Sequence, residues 1–424
     1  MIKFILKGLI RDRSRSLFPI LMVSAGAFLT VFFYSFMQGV MDDLISSTAK
    51  FDTGHVKIMT QAYRELADQT PNDLSIIGSS VLLDWLRKNE KEMIWTPRIR
   101  FGGLLDVPDE NGETKAQGLA FGLGIDLFNS DSPEKKLFNI EKSIVRGHYP
   151  DQKNEILISD ELAKKMNIDI GGTVTLIGST MYGAMAIHNF KVSGTVYFGM
   201  VALDRGTIIA DIGDMQFALD MPEGASEIVG YSKDMLYDDK RMINVADGFN
   251  KRFTKTNDEF SPIMLTLGQQ NGMDEYLMYA GSMGTIIVSI FVLVMSIVLW
   301  NSGLMNGLRR YGEIGVRLAI GEPKGNLYRW MILESSMIGI AGSVLGTLLG
   351  LGISFYFQYV GVDLSSIMPR SSMMLSNVMR AQVTPVSYII GFFPGVFASV
   401  IGTMFAGIGI YKRQTAQLFK ELET

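Results

Sequence analysis

Residues that commonly perform catalysis or bind metals are few in this sequence. It contains no cysteine, which excludes disulfides, thiolate nucleophiles and cysteine–metal sites. Its three histidines, His55, His148 and His188, are far apart, and we expect ordinary surface or turn residues rather than a zinc site. The adjacent carboxylates Asp42 and Asp43 follow a long uncharged segment and are best explained as a solvated helix end.

Phosphate-binding loops are also missing from the sequence. The pattern Gly-x-x-x-x-Gly-Lys-Ser/Thr does not occur, and the segment 321–325, Gly-Glu-Pro-Lys-Gly, lacks the required arrangement. Gly122-Leu-Gly124 is not part of a complete dinucleotide-binding fingerprint. We therefore expect a non-enzymatic chain that binds no cofactor itself.

Four long segments without acidic or basic side chains indicate where the chain crosses a membrane. They are residues 16–41, 276–308, 335–362 and 381–411. A helix needs roughly 20 apolar residues to cross the hydrocarbon core, and charges inside it are costly. The pattern predicts a membrane protein with four transmembrane α-helices, one before and three after a large extracytoplasmic α+β domain.

Basic residues flank these segments on one side. They are Lys3, Lys7, Arg11, Arg13 and Arg15 before the first span, Arg309, Arg310, Arg317 and Lys324 between the second and third, and Lys412, Arg413 and Lys420 in the tail. The positive-inside rule predicts that both termini and the 309–326 connection are cytoplasmic.

The predicted segments follow from these boundaries. They are a cytoplasmic amphipathic helix at 1–16, spans at 17–42, 276–308, 327–358 and 381–411, an extracytoplasmic domain at 43–275, a cytoplasmic helix at 309–326, an extracytoplasmic loop at 359–380 and a cytoplasmic tail at 412–424.

Alternating strand and helix patterns fill the large domain. Residues 56–59, 155–158, 173–176 and 207–210 have strand composition, and 160–166 should be a short helix capped by Ser159 or Asp160. Gly171-Gly172 should turn the chain into the next strand. Either one domain or two subdomains joined near 130–150 would fit.

Small residues four apart mark the later spans. Gly342, Gly346 and Gly350 lie in the third span, and Gly391, Gly395, Gly402 and Ala406 in the fourth. Such a spacing lets helices approach closely, so we expect spans three and four to pack on each other. The first span is instead rich in phenylalanine, typical of a surface facing lipid or a lipid-like substrate.

A charged, partly apolar segment, 309–321, joins the second and third spans. Ile314, Arg317 and Leu318 should share one helical face, with Gly321 ending the helix. The pattern fits a helix that lies on the membrane equally with one that docks into a partner's groove.

The sequence Glu313-Ile-Gly-Val-Arg-Leu-Ala-Ile-Gly321 resembles the characteristic motif of the FtsX/MacB/LolC-LolE class of ABC transporter permeases. The one-plus-three arrangement and the large insert are similar to that class as well. Segments 53–58, 96–100, 122–126, 147–150, 155–163 and 171–176 resemble the LolC/LolE branch most.

This resemblance implies a MacB-like periplasmic core and a bacterial inner-membrane location. It also implies a coupling helix after the second span that docks on a separate ATPase, through Arg310, Glu313, Ile314, Gly315, Arg317 and Gly321. Two copies of that ATPase would bind ATP and Mg, and a second permease chain, identical or related, would complete the transporter. A nucleic-acid partner is not expected.

The LolC/LolE likeness further implies a cargo. It would be an acylated lipoprotein, taken from the membrane and passed to a periplasmic carrier. The acyl chains would contact Phe28, Phe32 and Phe36 of the first span and Tyr279, Met283 and Ile287 of the second, although that surface also suits membrane lipid. Two alternatives are an exporter of peptides, antibiotics or other amphiphiles, and an FtsX-like signalling scaffold that controls a cell-wall hydrolase.

Overall fold

The computed structural model describes residues 13–109, 111–129, 132–255, 258–270, 272–363, 374 and 378–412. Residues 1–12 of the amphipathic helix predicted at 1–16, and residues 413–424 of the predicted tail, lie outside this range. The chain divides into two compact units. The helical unit comprises Met1–Asp43, Tyr279–Val362 and Val378–Thr424, and the sheet unit comprises Leu44–Met278 and Asp363–Asn377.

The α-helices are α1 Arg13–Thr48, α2 Gln61–Glu65, α3 Ser79–Asn89, α4 Glu134–Leu137, α5 Ile140–Ser143, α6 Asp160–Met166, α7 Val201–Asp204, α8 Ile212–Ala218, α9 Asp239–Phe253, α10 Met273–Leu308, α11 Tyr311–Ala319, α12 Lys324–Tyr359 and α13 Ser399–Lys412. π-Helical turns occupy Ala49–Thr53 and Phe393–Ala398. Short 3₁₀ turns occupy Ala67–Gln69, Asn72–Leu74, Leu267–Gln269 and Pro385–Tyr388.

The strands are β1 Val56–Thr60, β2 Met93–Pro108, β3 Thr114–Ile125, β4 Ile144–Gly147, β5 Glu155–Ser159, β6 Thr173–Ser179, β7 Met185–Val196, β8 Thr207–Asp211, β9 Glu227–Ser232, β10 Pro262–Thr266, β11 Val362–Asp363 and β12 Val378–Met379.

Four helical segments are long and apolar enough to cross a membrane, judged by length and composition. They are Ser16–Thr53, Met273–Ala319, Lys324–Tyr359 and Pro385–Ile408. We expected the fourth segment to be one regular α-helix, but it is irregular. It contains a 3₁₀ turn, and Pro394 lies in the π-helical stretch that precedes α13, which fits the missing backbone donor of proline.

The third and fourth candidate spans pack on each other as predicted, because Ser335 Oγ donates a hydrogen bond to Ser399 O at 3.2 Å and Gly395 faces Ser343. Glycines of α12 also face a partner that was not predicted. A Cβ atom at Gly346 would lie 2.3 Å from Ser24 O, and one at Gly342 would lie 2.7 Å from Val23 of α1. The stripe on α12 therefore packs mainly against the first candidate span. Contact with the fourth also occurs at Gly339, which faces Ser399.

The sheet unit is an α+β structure in which the strand order is β10-β1-β9-β2-β3-β8-β5-β7-β4, with β6 paired to β2 and β7. Strand β2 has 16 residues and connects the two halves of the sheet, one containing β10, β1 and β9 and the other β3, β8, β5, β7 and β4. Its residues Met93–Arg98 pair with β9, and residues 99–108 pair with β3. The connection between the halves is thus β2 rather than the region 130–150.

Local predictions in this unit are confirmed. All four predicted strands form, as β1, β5, β6 and β8. Helix α6 spans Asp160–Met166, and Ser159 caps it by accepting a hydrogen bond from the backbone N of Leu162. Gly171 adopts a φ of 84° in the turn before β6, a conformation that costs glycine little.

Candidate functional site

Helix α11, Tyr311–Ala319, forms where the sequence predicts the short helix. Its C-terminus is a Schellman motif: Gly321 N–H donates to Leu318 O at 3.1 Å and Glu322 N–H donates to Arg317 O at 3.1 Å. Gly321 has a φ of 98°, a left-handed conformation that favours glycine at this position. The predicted role of Gly321 in ending the helix is confirmed.

One face of α11 is buried within the helical unit. Tyr311 and Ile314 form a cluster with Leu327 and Met331 of α12, and Leu318 packs against it. Tyr311 Oη also donates a hydrogen bond to Ala406 O at 2.5 Å. The helix is therefore fixed to its own chain by an apolar stripe.

The opposite face of α11 is open. Val316 and Ile320 are exposed, Ile320 to 82%. Arg317 is exposed as well and is bonded to Glu313 at 2.8 Å. Exposed apolar side chains beside an ion pair form a surface suited to a protein partner.

The predicted coupling residues thus divide by position. Ile314 and Gly315 are buried, while Glu313, Arg317 and Gly321 are accessible. Val316 and Ile320 were missed, although helical spacing from the buried Ile314 could have placed Val316 on the outer face. The roles of the predicted coupling residues toward a partner remain predictions.

Arg310, the remaining predicted coupling residue, is bound inside the helical unit. Its guanidinium makes two hydrogen bonds to the carboxylate of Glu334 on α12, one of them 2.6 Å between Nη2 and Oε1. Two parallel bonds of this kind fix both distance and orientation. Arg310 therefore connects the α10–α11 junction to α12.

A crevice of about 1010 Å³ lies beside α11 within the helical unit. Its walls include Phe18 and Met22 of α1 and Val298 and Met305 of α10, and Arg309 lines the charged end. Apolar side chains of α1 and α10 alternate in its walls with the polar Asn301, Ser302 and Asn306 of α10, and the charged side chains lie near α11.

The predicted acyl-contact residues form two separate groups. Phe28, Phe32 and Phe36 stack along α1, and Phe32 also contacts Phe357 of α12, with ring centroids 5.7 Å apart. On α10, the predicted residues Tyr279, Met283 and Ile287 are exposed. The aromatic contact between α1 and α10 is made by Phe33, which stacks on Phe291 at 4.3 Å.

Histidine positions differ from expectation in one case. His55 is buried, not on the surface, and its Nδ1 accepts a hydrogen bond from the backbone N of Ser232 at 3.1 Å. Burial lowers the pKa of His55 to about 4. The residue is therefore a neutral acceptor inside the sheet unit.

His148, Asp151 and Glu155 place possible metal-ligand atoms within 4.8 Å of one another. The Glu155 carboxylate, however, already accepts hydrogen bonds from the backbone N of Asp151 and of Gln152 and lies 3.7 Å from Lys191 Nζ. This group is explained by the turn that it stabilises, and we assign no metal to it.

Comparisons with known proteins relate the helical unit to a transporter family. The family model "FtsX-like permease C-terminal" matches residues 285–415. The macrolide export ATP-binding/permease protein MacB of Agrobacterium fabrum is 30% identical over 115 residues, which are 26% of this chain and 17% of that protein. An uncharacterized ABC transporter permease protein of Mycobacterium tuberculosis is 22% identical over 321 residues, which are 72% of this chain and 34% of that protein.

Both alignments cover well under two thirds of the relative, and those to MacB lie in its permease part. In the crystal structure of the periplasmic region of MacB from Actinobacillus actinomycetemcomitans, the matching chain has a TM-score of 0.35 and 10% identity, with 50% of this chain and 89% of that one covered. That score is too low to assign the fold of the sheet unit. The sequence matches support an ABC permease of the FtsX-like, MacB-like family, and they do not distinguish the LolC/LolE branch.

Proposed function

We propose that this chain is the non-catalytic permease subunit of an ABC transporter in the bacterial inner membrane, which couples ATP hydrolysis by a separate ATPase to extraction of lipoproteins. The main support is helix α11, whose inner face is fixed by Tyr311 and Ile314 and whose outer face presents Val316 and Ile320. A helix fixed on one side and open on the other suits a partner that pushes on it.

Force applied to α11 has two short routes into the helices. Toward α10, backbone bonds link Arg309 N to Met305 O at 3.0 Å and Arg310 N to Gly307 O at 3.3 Å. Toward α12, the Arg310–Glu334 ion pair and the Ile314 contacts provide the link. Docking of an ATPase on α11 would therefore move α10 and α12 together.

The proposed cargo rests on the exposed apolar residues of α10 and the phenylalanine stack of α1. Tyr279, Met283 and Ile287 offer an uncharged surface that an acyl chain would cover. A second permease chain, identical or related, would enclose this surface, and a periplasmic carrier would accept the released lipoprotein. Two ATPase copies would supply the ATP and Mg sites.

Export of an amphiphile is the second candidate, and the matches to macrolide export proteins favour it. Both functions use the same ATPase contact and differ in cargo. The cargo is what the experiment must identify.

The test is purification of the tagged full-length chain in mild detergent, followed by mass spectrometry of proteins and lipidated species. An ATPase together with triacylated lipoproteins that are lost on addition of ATP would support lipoprotein extraction. An ATPase with a periplasmic adaptor and no lipoprotein would favour export. Retrieval of no ATPase would contradict both.

A further inference from the structure

The π-helical turn Ala49–Thr53 directly continues helix α1 in the sheet unit. Its backbone carbonyls accept hydrogen bonds from four side chains. Arg98 Nη1 donates to Lys50 O at 3.0 Å, and Arg100 Nη2 donates to Phe51 O at 3.3 Å and to Asp52 O at 3.0 Å. Tyr231 Oη donates to Ala49 O at 3.0 Å and to Lys50 O at 3.2 Å, and Gln270 Nε2 donates to Thr53 O at 3.0 Å. Every carbonyl of the turn thus has a side-chain donor.

These contacts satisfy the carbonyl groups at the end of a helix. The last carbonyls of a helix have no partner in the helix and carry its partial negative charge. A guanidinium group offers a planar set of donors and a fixed positive charge. Arg98 and Arg100, which we call the arginine pair, therefore bind the end of α1 by both hydrogen bonding and charge.

The arginine pair is itself held in place. Arg98 is fully buried, with Nε 2.9 Å from Glu134 Oε1 and its guanidinium 4.9 Å from the ring of Phe138. Arg100 Nε lies 2.9 Å from Glu227 Oε1. Arg98 cannot shift without leaving the buried carboxylate of Glu134 uncompensated.

Both arginines lie on β2, which connects the two halves of the sheet unit. The strand pairs with β9 through Met93–Arg98 and with β3 and β6 beyond it. A displacement of β2 would therefore reach most of the sheet, because its neighbours are hydrogen-bonded to it on both sides.

We propose that Arg98 and Arg100 are positioning residues that bind the end of helix α1 to strand β2, so that movement of the helix is transmitted to the sheet. This inference rests on the proposed function, in which ATP hydrolysis moves the candidate spans. It assigns the transmitting contact to the arginine pair and the carbonyls of 50–52.

Arg100 is the residue to change, because its loss leaves no buried carboxylate alone: Glu227 keeps Lys57 Nζ at 2.9 Å. Arg146 provides a matched control. It lies 2.9 Å from Asp160, which likewise keeps a second cation, Lys164 at 2.6 Å. The described hydrogen bonds of Arg146 run to Asp160 and to no carbonyl of the turn.

The experiment compares Arg100→Gln with Arg146→Gln in the full chain, purified with its ATPase in lipid nanodiscs. Hydrogen exchange of the segment 49–57 should become about tenfold faster in Arg100→Gln and stay unchanged in Arg146→Gln. Addition of ATP and vanadate should alter exchange in β2 of the wild type and of Arg146→Gln, but not of Arg100→Gln.

Two results would overturn the inference. One is unchanged exchange of 49–57 in Arg100→Gln, and the other is a nucleotide response of β2 that survives in that variant. Failure of the proposed function would give a different result. Hydrogen exchange in β2 of the wild type would not respond to nucleotide, while exchange of 49–57 would still report whether Arg100 stabilises the turn.

Discussion

Arg310 and Glu334 join the start of helix α11 to helix α12 through a two-point ion pair. Both side chains are only about one-fifth exposed, 22% and 21%. Ion pairs that are partly removed from water depend more on both partners than fully exposed pairs do. The pair therefore contributes to how firmly α11 is held.

Replacement of Glu334 by Gln should destabilise the helical unit, because Arg310 would keep its charge and lose its partner. In a double-mutant cycle with Arg310→Gln, we expect a coupling energy of about 1–2 kcal/mol. Thermal unfolding in one detergent measures it. The more exposed pair Glu313–Arg317 is the control, with an expected coupling of about 0.5 kcal/mol or less. Additive effects of Glu334→Gln and Arg310→Gln would refute the prediction.

Ile314 and Ile320 should respond differently to the same substitution by alanine. Ile314 is 4% exposed within the α11–α12 cluster, so Ile314→Ala should cost about 2–5 kcal/mol of stability. Ile320 is exposed, and Ile320→Ala should leave stability within about 0.5 kcal/mol while reducing retention of the ATPase. Unfolding and co-purification measure the two effects. Full ATPase retention by Ile320→Ala would argue against α11 as the docking helix.

The sequence predicts those features of this structure that depend on interactions between residues close together in the chain. The ends of α6 and α11 were predictable because Ser159 and Gly321 act on backbone groups a few residues away. The Arg310–Glu334 pair was not predictable, because its two residues lie far apart in the sequence. The composition of the chain does not specify which charged residue pairs with which.

Packing partners show the same limit. The small residues correctly indicated that α12 packs closely on the fourth candidate span, but their spacing does not show how many helices α12 contacts, so the contact with α1 was missed. His55 was taken for a surface or turn residue, since its burial arises only when β1 lies between β9 and β10.

Gly346 and Gly352 of α12 allow a test of that helix contact. A Cβ at Gly346 would lie 2.3 Å from Ser24 O, whereas at Gly352 nothing lies within 4 Å. Gly346→Ala should therefore lower the unfolding temperature of the chain in detergent. Gly352→Ala should leave it unchanged or raise it, because alanine favours a helix over glycine by roughly 1 kcal/mol. Equal effects of both changes would show that α1 does not pack closely on Gly346.

The sheet unit should lose stability as the pH falls through the range in which histidine titrates. Burial lowers the pKa of His55 to about 4, whereas an unfolded chain has a histidine pKa of 6.5. Between these values the unfolded state binds more protons. The contribution of His55 is thus complete above pH 6.5 and is lost toward pH 4, amounting to about 2 kcal/mol between pH 7 and pH 5.

His55→Asn provides the test, because an amide oxygen can still accept the Ser232 hydrogen bond without titrating. Urea unfolding of the full chain, followed by tryptophan fluorescence, should depend less on pH between 7 and 5 in this variant. Burial also lowers the pKa of His188, so part of the pH dependence should remain and should decrease further when His188→Asn is added. An unchanged pH dependence in His55→Asn would mean that His55 is accessible to protons in the folded chain.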